Sequence, residues 1–259
     1  MTIGKVFQVS DIKPIHPFPA RMAPSIIWES IPRNGSKLRV LDPMAGSGTT
    51  LVSVRAMGHQ AIGCDTDPLA LLIARSWCSD LNPIQLRYRA ELVLERAMRI
   101  SENLAREQAY PSHVDLETRE FLDYWFDDTN RRQLTALARC ISRVRNYDEK
   151  ALLWCALSRL IITKKSGVSL AMDISHSRPH KKYEAAPVRA FDKFLHAVDY
   201  IANKAPFRRN NDKAPNIIIR QADARALPFE SNSVDMVITS PPYTPIRGFS
   251  DSADMICMW

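Results

Sequence analysis

Residues 38–65 read LRVLDPMAGSGTTLVSVRAMGHQAIGCD, in which short apolar runs alternate with a glycine-rich turn and a helical segment. Leu38–Leu41 and Gln60–Cys64 have the length and apolar character of buried strands, and Thr49–Met57 has that of a helix between them. A second helix is predicted at Pro68–Cys78, because proline suits the first turn of a helix. This alternation is typical of a parallel βαβ unit whose glycine turn lies at the carboxyl end of the first strand.

The apolar spacing changes between residues 84 and 205, where it predicts four or five helices and no strand. A polar loop is expected at Lys164–Pro187, and strands return at Asn216–Arg220 and Val234–Ile238. The predicted fold class is therefore α/β, with a Rossmann-like sheet interrupted by a mostly helical insert. The predicted division is an N-terminal segment at 1–36, a core at 37–80 and 214–259, and an insert at 81–213.

The last predicted strand lies close to the end of the chain. Four predicted strands are fewer than a doubly wound sheet ordinarily has. We therefore expect an incomplete sheet, whose remaining strands come from a missing C-terminal part or from a second subunit.

The composition is that of an ordinary globular protein, with 46% hydrophobic and 24% charged residues. No apolar stretch reaches the roughly 18 residues needed to span a bilayer, and the N-terminus lacks the pattern of a signal peptide. The five cysteines are scattered without a C-x-x-C pair, which argues against a zinc site or a disulfide framework. The expected location is a reducing cytoplasm, and no metal is expected.

The net charge of +7 is concentrated in the insert. Residues 81–130 carry −4 and residues 131–215 carry +11, while the remainder of the chain is neutral. A basic block of this kind indicates a polyanionic partner; the alternative is a helical surface that is merely solvated. The candidate nucleic-acid-binding residues are Arg132, Arg139 and Arg143, which share roughly one helical face, and Lys164, Lys165, Arg178, Lys181 and Lys182, which lie in or near loops.

The glycine-rich turn has the chemistry of a cofactor loop. Gly46 and Gly48 permit a tight turn and a close approach of the backbone to a ligand. The helix that follows begins with free amides and a positive dipole end, which suit an anionic group such as a carboxylate. Asp65, at the end of the second strand, can accept both hydroxyls of a ribose. A P-loop needs a lysine after Gly48, and a nicotinamide fingerprint needs a glycine where Leu51 stands, so both are rejected.

A second segment, Ser240-Pro241-Pro242-Tyr243, follows the last predicted strand. It should lie at the carboxyl edge of the sheet, where ligands bind in open α/β folds. The prolines stiffen the backbone and remove donors, so the carbonyl before Pro242 and the Ser240 hydroxyl can accept both hydrogens of a planar amine. Tyr243 can stack on the ring that carries the amine. A proline-bounded turn without function is the alternative.

Together these segments resemble the amino-directed S-adenosylmethionine-dependent DNA methyltransferases, which modify adenine N6 or cytosine N4. Asp42–Thr50 resembles the cofactor motif of that family, with Met44 in place of its usual aromatic residue. The stretch His16-Pro17-Phe18-Pro19-Ala20-Arg21 resembles the N-terminal motif that folds over the methionine part of the cofactor. Thr239–Tyr243 resembles the catalytic motif, whose serine variant is more usual among cytosine-N4 enzymes.

The resemblance assigns a role to each matching residue. Asp65 matches the acid that binds the ribose, and Asp223 matches the acid that contacts the adenine amine of the cofactor. The residues implied to be catalytic are Ser240, Pro241, Pro242 and Tyr243. The residues implied to bind S-adenosylmethionine are His16, Pro17, Phe18, Asp42, Pro43, Ala45, Gly46, Ser47, Gly48, Thr49, Asp65 and Asp223.

The implied reaction is direct transfer of the methyl group of the cofactor to the amine of cytosine or adenine in double-stranded DNA, in the setting of a restriction–modification system. The target base must leave the duplex and enter the pocket. Cytosine-C5 methylation is rejected, because it needs a nucleophilic cysteine, normally after proline, and no cysteine of this chain follows a proline. Two alternatives stay open. Enzymes that methylate RNA guanine N2 or protein glutamine use a similar proline loop, and a non-catalytic fragment or split subunit could bind only the cofactor or DNA.

Overall fold

A computed structural model describes residues 8–18, 21–33, 35–111, 114–163, 167–172, 180–207 and 217–241. The chain divides into two compact units. The α/β unit contains the described residues up to Asp80 together with those of the range Lys204–Thr244, and the helical unit contains the described residues of Leu81–Asn203.

The secondary structure follows the predicted alternation. In chain order the elements are α1 (Pro24–Ser30), β1 (Arg39–Asp42), α2 (Thr49–Ala56), β2 (Gln60–Asp65), α3 (Pro68–Cys78), α4 (Pro83–Glu102), α5 (Leu116–Trp125), α6 (Asp128–Ser142), α7 (Tyr147–Ile161), β3 (Ala171–Met172), β4 (His180–Lys181), α8 (Ala190–Lys204), β5 (Ile217–Gln221) and β6 (Met236–Val237). None of the helices in the described part of the chain has both the length and the apolar character that a membrane span requires.

The α/β unit contains a sheet with the strand order β5-β2-β1-β6, in which every described pairing is parallel. The chain first builds outward from β1 through β2 to β5 and then crosses back, so that β6 pairs with the opposite side of β1. The strand order therefore reverses between β1 and β6, and a reversal of this kind opens a crevice at the carboxyl ends of the two strands. The predicted α/β class with a parallel sheet is confirmed.

Local sequence explains why the elements around β1 form where they do. Val40 and Leu41 are buried in β1, as the apolar run predicts. The helix α3 begins after Asp67, whose side chain caps it by accepting a hydrogen bond from the amide of Leu69 at 2.8 Å, with Pro68 in the first turn. At the amino ends of β1 and β6, Asp235 links the two strands. Its carboxylate accepts hydrogen bonds from the amide of Arg39 at 2.7 Å and from the Arg39 guanidinium at 3.1 Å.

A buried arginine holds the places where the chain leaves and re-enters the α/β unit. Arg55, near the end of α2, is 5% exposed. Its guanidinium donates a hydrogen bond to the carbonyl of Cys78. It also donates to the two carboxylate oxygens of Asp80, at 2.8 Å each. It also lies over the ring of Phe207, 4.3 Å from the ring centre. One buried cation therefore contacts both the outgoing and the returning segment.

The helical unit contains α4 to α7 and nearly all of α8, in agreement with the predicted four or five helices. Asparagine or aspartate caps the start of four of these helices: the side chains of Asn82, Asp115, Asp127 and Asn146 accept from amides in the first turns of α4, α5, α6 and α7. The prediction that this region lacks strands is wrong in one place. The two-residue strands β3 and β4 pair in antiparallel fashion inside the expected polar loop.

A buried asparagine organises the interior of the helical unit. The Asn130 side chain, fully buried in α6, donates to the carbonyls of Val168 and Val188 at 2.8 Å each and accepts from the amide of Ala190 at 3.0 Å. Because its donors and its acceptor are all engaged, the polar group is stable at this depth. The segments before β3 and at the start of α8 are thereby fixed against α6.

Candidate active site

The sheet brings the two segments singled out from the sequence to one edge. Val40 and Leu41 of β1 pair with Met236 and Val237 of β6, and the amide of Ile238 donates to the carbonyl of Leu41 at 3.0 Å. Asp42, the last residue of β1, and Thr239, which follows Ile238, therefore lie side by side at the carboxyl edge. This edge is the crevice at which the strand order reverses.

Asp42 is a buried carboxylate at this edge, 2% exposed. Burial raises its pKa, while the neighbouring side chains of Thr50 and Thr239 and the amide of Met44 oppose that rise. The Met44 amide donates to Oδ1 of Asp42 at 3.1 Å. Asp42 thus interacts with the turn that follows β1, with the first turn of α2 and with the segment after β6, which gives it an architectural role between the two segments.

The glycine turn adopts the conformation that its sequence predicts. Gly46 and Gly48 have φ values of 50° and 88°, which favour glycine. A Cβ on Gly48 would lie 2.7 Å from the Cβ and 2.9 Å from the Cα of Ala74, so the turn also packs directly against α3. Gly48 is the N-cap of α2 and offers no side chain to its first amides, which leaves this helix end suited to an anionic group.

Two further observations show that the turn has the features of a ligand cradle. The hydroxyl of Ser47 is buried and has no hydrogen-bond partner among the described residues, which is unusual for a buried polar atom. Asp65 accepts from the amide of Gly46 at 2.8 Å through Oδ2 and from the amide of Asp67 at 3.0 Å through Oδ1. These bonds fix the carboxylate, and each oxygen retains a further lone pair for a hydroxyl.

The N-terminal segment lies against the glycine turn. His16 is 2% exposed, and its carbonyl accepts from the amide of Phe18 at 2.9 Å and from the guanidinium of Arg21 at 3.0 Å. The ring of Phe18 faces Gly46, where an added Cβ would meet its Cε1 at 3.5 Å. Pro17 is half-buried, and Pro19 and Ala20 lie outside the described residues.

Asp223 follows β5 and lies near Asp65 in the fold, because the amide of Ala222 donates to the Asp65 carbonyl at 3.1 Å. The carboxylate of Asp223 is occupied by Arg225. The Arg225 amide donates to it at 2.8 Å, and the guanidinium donates from Nε at 3.0 Å and from Nη2 at 2.6 Å. These bonds lower the pKa of Asp223 to about 2. The predicted adenine-contacting acid therefore already has a cationic partner within its own loop.

Replacing Arg225 with glutamine should raise the pKa of Asp223 from about 2 toward its ordinary value of 3.8, because the guanidinium donors are lost while the backbone amide remains. The ion pair holds while Asp223 is ionised and is lost as the pH falls through about 2. A carboxyl NMR titration of Asp223 measures the change. The matched control is Arg220→Gln, since Arg220 donates to the carbonyl of Pro228 instead. An unchanged titration in Arg225→Gln would contradict the assignment.

The remaining predicted site residues are only partly described. Ala45, Gly48 and Thr49 are buried in the turn, and Pro43 is half-buried. Ser240 is half-buried and Pro241 is exposed at the carboxyl edge, whereas Pro242 and Tyr243 lie outside the described residues. Among the described residues, no three His, Cys, Asp or Glu side chains come together as a metal site would require.

Of the predicted nucleic-acid-binding residues that the structure describes, several have partners within the chain. Arg132 has its Nε 3.3 Å from Asp128, and Arg139 donates to the carbonyl of Gln108 at 2.8 Å. Arg143 is exposed, with no ion pair among the described residues. Lys181 lies over the ring of Tyr124 and Lys182 over the ring of Tyr183, both exposed. Lys164, Lys165 and Arg178 fall outside the described residues.

Sequence reasoning missed the contacts that join the segments. Thr50 and Thr239 belong to the two motifs, and both also lower the pKa of Asp42, an effect that the motifs do not indicate. Arg225 was not recognised, although an arginine two residues after an aspartate in a turn was the available signal. Hydroxyl and guanidinium partners of this kind depend on turn geometry and on strand pairing. The spacing of residues along the sequence does not specify either of these.

Comparison with known proteins gives an independent view of the same residues. The family model N6_N4_Mtase, described as DNA methylase, matches residues 9–76, which contain the N-terminal segment, the glycine turn and Asp65. The chain is 26% identical over 239 residues to Type II methyltransferase M.MvaI of Kocuria varians, an alignment that covers 88% of this chain and 52% of the relative. It thus spans about half the length of that curated relative. No solved structure matches the chain. The cofactor-type turn, the N-terminal motif and these matches together support the assignment of the chain to the N6/N4 DNA methylase family.

Proposed function

We propose that this protein transfers a methyl group from S-adenosylmethionine to the exocyclic amine of cytosine (N4) or adenine (N6) in double-stranded DNA. The observation that carries the proposal is the pairing of β1 with β6, which places the Asp42 turn and the Thr239–Ser240 segment at one crevice. A cofactor loop and a base-binding segment must meet for direct transfer, since its rate comes mainly from proximity and alignment. The similarity to the DNA methylase family supports the same proposal.

The residues of the glycine turn fit S-adenosylmethionine. Asp65 is held by two amides in a position to accept ribose hydroxyls. The Ser47 hydroxyl, which has no hydrogen-bond partner in the described part of the chain, and the N-terminus of α2 offer further polar contacts. Phe18, which faces Gly46, would cover the bound molecule from the N-terminal segment. When bound, S-adenosylmethionine supplies an electrophilic methyl group.

The second segment would hold the base. The Ser240 hydroxyl and the carbonyl before Pro242 accept the two hydrogens of the amine, which aims the nitrogen lone pair away from the segment. The ring of Tyr243 stacks on the base and offsets the stacking lost when the base leaves the duplex. Serine at position 240 favours cytosine N4 over adenine N6, because the motif resembles the serine variant of the family.

A second candidate function follows from the coverage of the relative. Because the chain spans about half of that protein, it could bind the cofactor or DNA while another part of the protein completes the base pocket. Two measurements separate the candidates: the heat of S-adenosylmethionine binding to the purified chain, and methylation of DNA by the same preparation. Cofactor binding without transfer identifies the binding-only function.

The direct test of the proposed activity is mass spectrometry of nucleosides from the DNA of cells that express the chain, compared with cells carrying the empty vector. N4-methylcytosine or N6-methyladenine is the expected product, and its identity settles the target base. Methylated guanosine in RNA with unmodified DNA would favour the RNA alternative. Unmodified DNA together with absent cofactor binding would contradict the proposal.

A further inference from the structure

An arginine-lined groove crosses the helical unit between α4 and the connection from α6 to α7. It has a volume of about 620 Å³. Arg89, Arg96 and Arg99 line it from α4, and Arg143 and Arg145 line it from the connection. Glu95 is the acidic residue in the same lining. Of these residues, only Arg143 was among the candidates chosen from the sequence.

The spacing on α4 places its three arginines in a row. Arg96 follows Arg89 by two helical turns, and Arg99 follows Arg96 by about one, so all three share a face of the helix. At 1.5 Å per residue the row is about 15 Å long. One strand of B-DNA carries a phosphate about every 3.4 Å along the helix axis, so the row is as long as the axial rise of about four phosphates.

The positive charge of this groove is only partly neutralised. Arg99 pairs with Glu95 one turn away, and Nε of Arg89 lies 2.9 Å from Oε2 of Glu149. Arg96, Arg143 and Arg145 are exposed and make no ion pair with any described residue. Three guanidinium groups are therefore available to a ligand, and guanidinium binds phosphate through two parallel hydrogen bonds.

The floor of the groove strengthens the attraction of these arginines for an anionic ligand. It is formed by the buried side chains of Val93, Cys140 and Val144. An apolar floor excludes water, so charges along its rim act on a ligand more strongly than they would on an open surface. These charges also affect the thiol of Cys140: burial raises its pKa, and the nearby Arg96 and Arg143 oppose that rise.

We propose that this groove binds the phosphate backbone of the DNA substrate, an inference that rests on the proposed function for the identity of the polyanion. The groove is the backbone contact of the helical unit, and it positions the duplex without reading its sequence. Arg132 and Arg139, which the sequence pointed to, have partners within the chain, whereas Arg96, Arg143 and Arg145 are the cations of this surface without an acidic partner among the described residues.

The test is the salt dependence of duplex DNA binding by the whole chain, followed by fluorescence anisotropy of a labelled oligonucleotide. The triple variant Arg96→Ala, Arg143→Ala, Arg145→Ala should reduce the slope of log affinity against log salt by about 2.7, since each phosphate contact contributes about 0.9. Between about 50 and 200 mM salt, the wild-type protein should then lose about 40-fold more affinity than the variant.

Two further variants make the result specific. Lysine at the same three positions keeps the charge and should keep the slope, which separates charge from folding; thermal melts check that all variants fold. The triple variant Arg33→Ala, Lys37→Ala, Lys193→Ala removes equal charge outside the groove and should keep the slope. A wild-type slope in the first variant, or equal losses in both alanine variants, would overturn the inference. Failure of the proposed function would give a different result: no methylated base and no measurable heat of cofactor binding, while the salt slope still depends on the groove arginines.

Discussion

Replacing Tyr243 or Ser240 with alanine should slow methyl transfer to DNA at least about 100-fold, while the affinity for S-adenosylmethionine stays unchanged. The expected loss is large because both residues are proposed to align the base, and a displacement of about 1 Å at the reacting atoms costs about this factor. Neither residue belongs to the glycine turn that would bind the cofactor. Transfer of a labelled methyl group to duplex DNA measures the rate, and calorimetry measures cofactor affinity.

The controls keep the chemistry separate from the fold. Tyr243→Phe retains the ring and should retain most of the activity, because stacking needs the π-face and not the hydroxyl. Ser233→Ala removes a half-buried hydroxyl from the turn before β6 and should have no effect on transfer. Wild-type rates in both Ser240→Ala and Tyr243→Ala would refute the assignment of this segment to the base. Weakened cofactor binding in them would move the segment into the cofactor site.

Gly48→Ala should destabilise the α/β unit by about 3 kcal/mol. Two costs add at this position. Its φ of 88° is unfavourable for a residue with a side chain, and the new Cβ would lie 2.7 Å from the Cβ of Ala74. The left-handed conformation costs about 1–2 kcal/mol, and overpacking costs about 1–3 kcal/mol. Denaturant unfolding followed by circular dichroism measures the loss.

The chain supplies a matched control for this prediction. Gly58 has a φ of 89°, nearly that of Gly48, but a Cβ added there would meet nothing within 4 Å. Gly58→Ala therefore reports the conformational cost alone, about 1–2 kcal/mol, and the difference between the variants reports the contact with α3. Equal destabilisation of the two variants would show that the close packing of the turn on α3 carries no energy.

The elements around the glycine turn could be predicted because their signals are local. The apolar run at Val40 and Leu41 and the Asp67-Pro68 start of α3 determine conformation within a few residues. The pair β3–β4 could not be predicted. Its strands are two residues long, and His180 and Lys181 are both exposed, so no alternation of apolar and polar residues marks them. That pair depends on backbone bonds, such as the one from the amide of Lys182 to the carbonyl of Leu170 at 2.9 Å.

The position of the basic surface shows a different limit. Counting charge along the chain directed attention to residues 131–215, yet three arginines of the groove come from α4, within a segment of net charge −4. Helical periodicity sorts charges onto faces, so a net negative segment can still present a positive face. In the same way, the position of Thr239 beside Asp42 depends on which strand pairs with β1, and the distance between the two residues along the sequence does not specify that pairing.

Arg55 has a consequence for how far the helical unit can vary. Because its guanidinium holds Asp80 and Phe207 together, the two ends of the helical unit are anchored within the α/β unit itself. The helical unit is then joined to the α/β unit at two neighbouring points, and for a flexible loop closed at such points, doubling its length adds only about 0.6 kcal/mol of closure entropy. We therefore expect that lengthening a loop of the helical unit costs the sheet little stability.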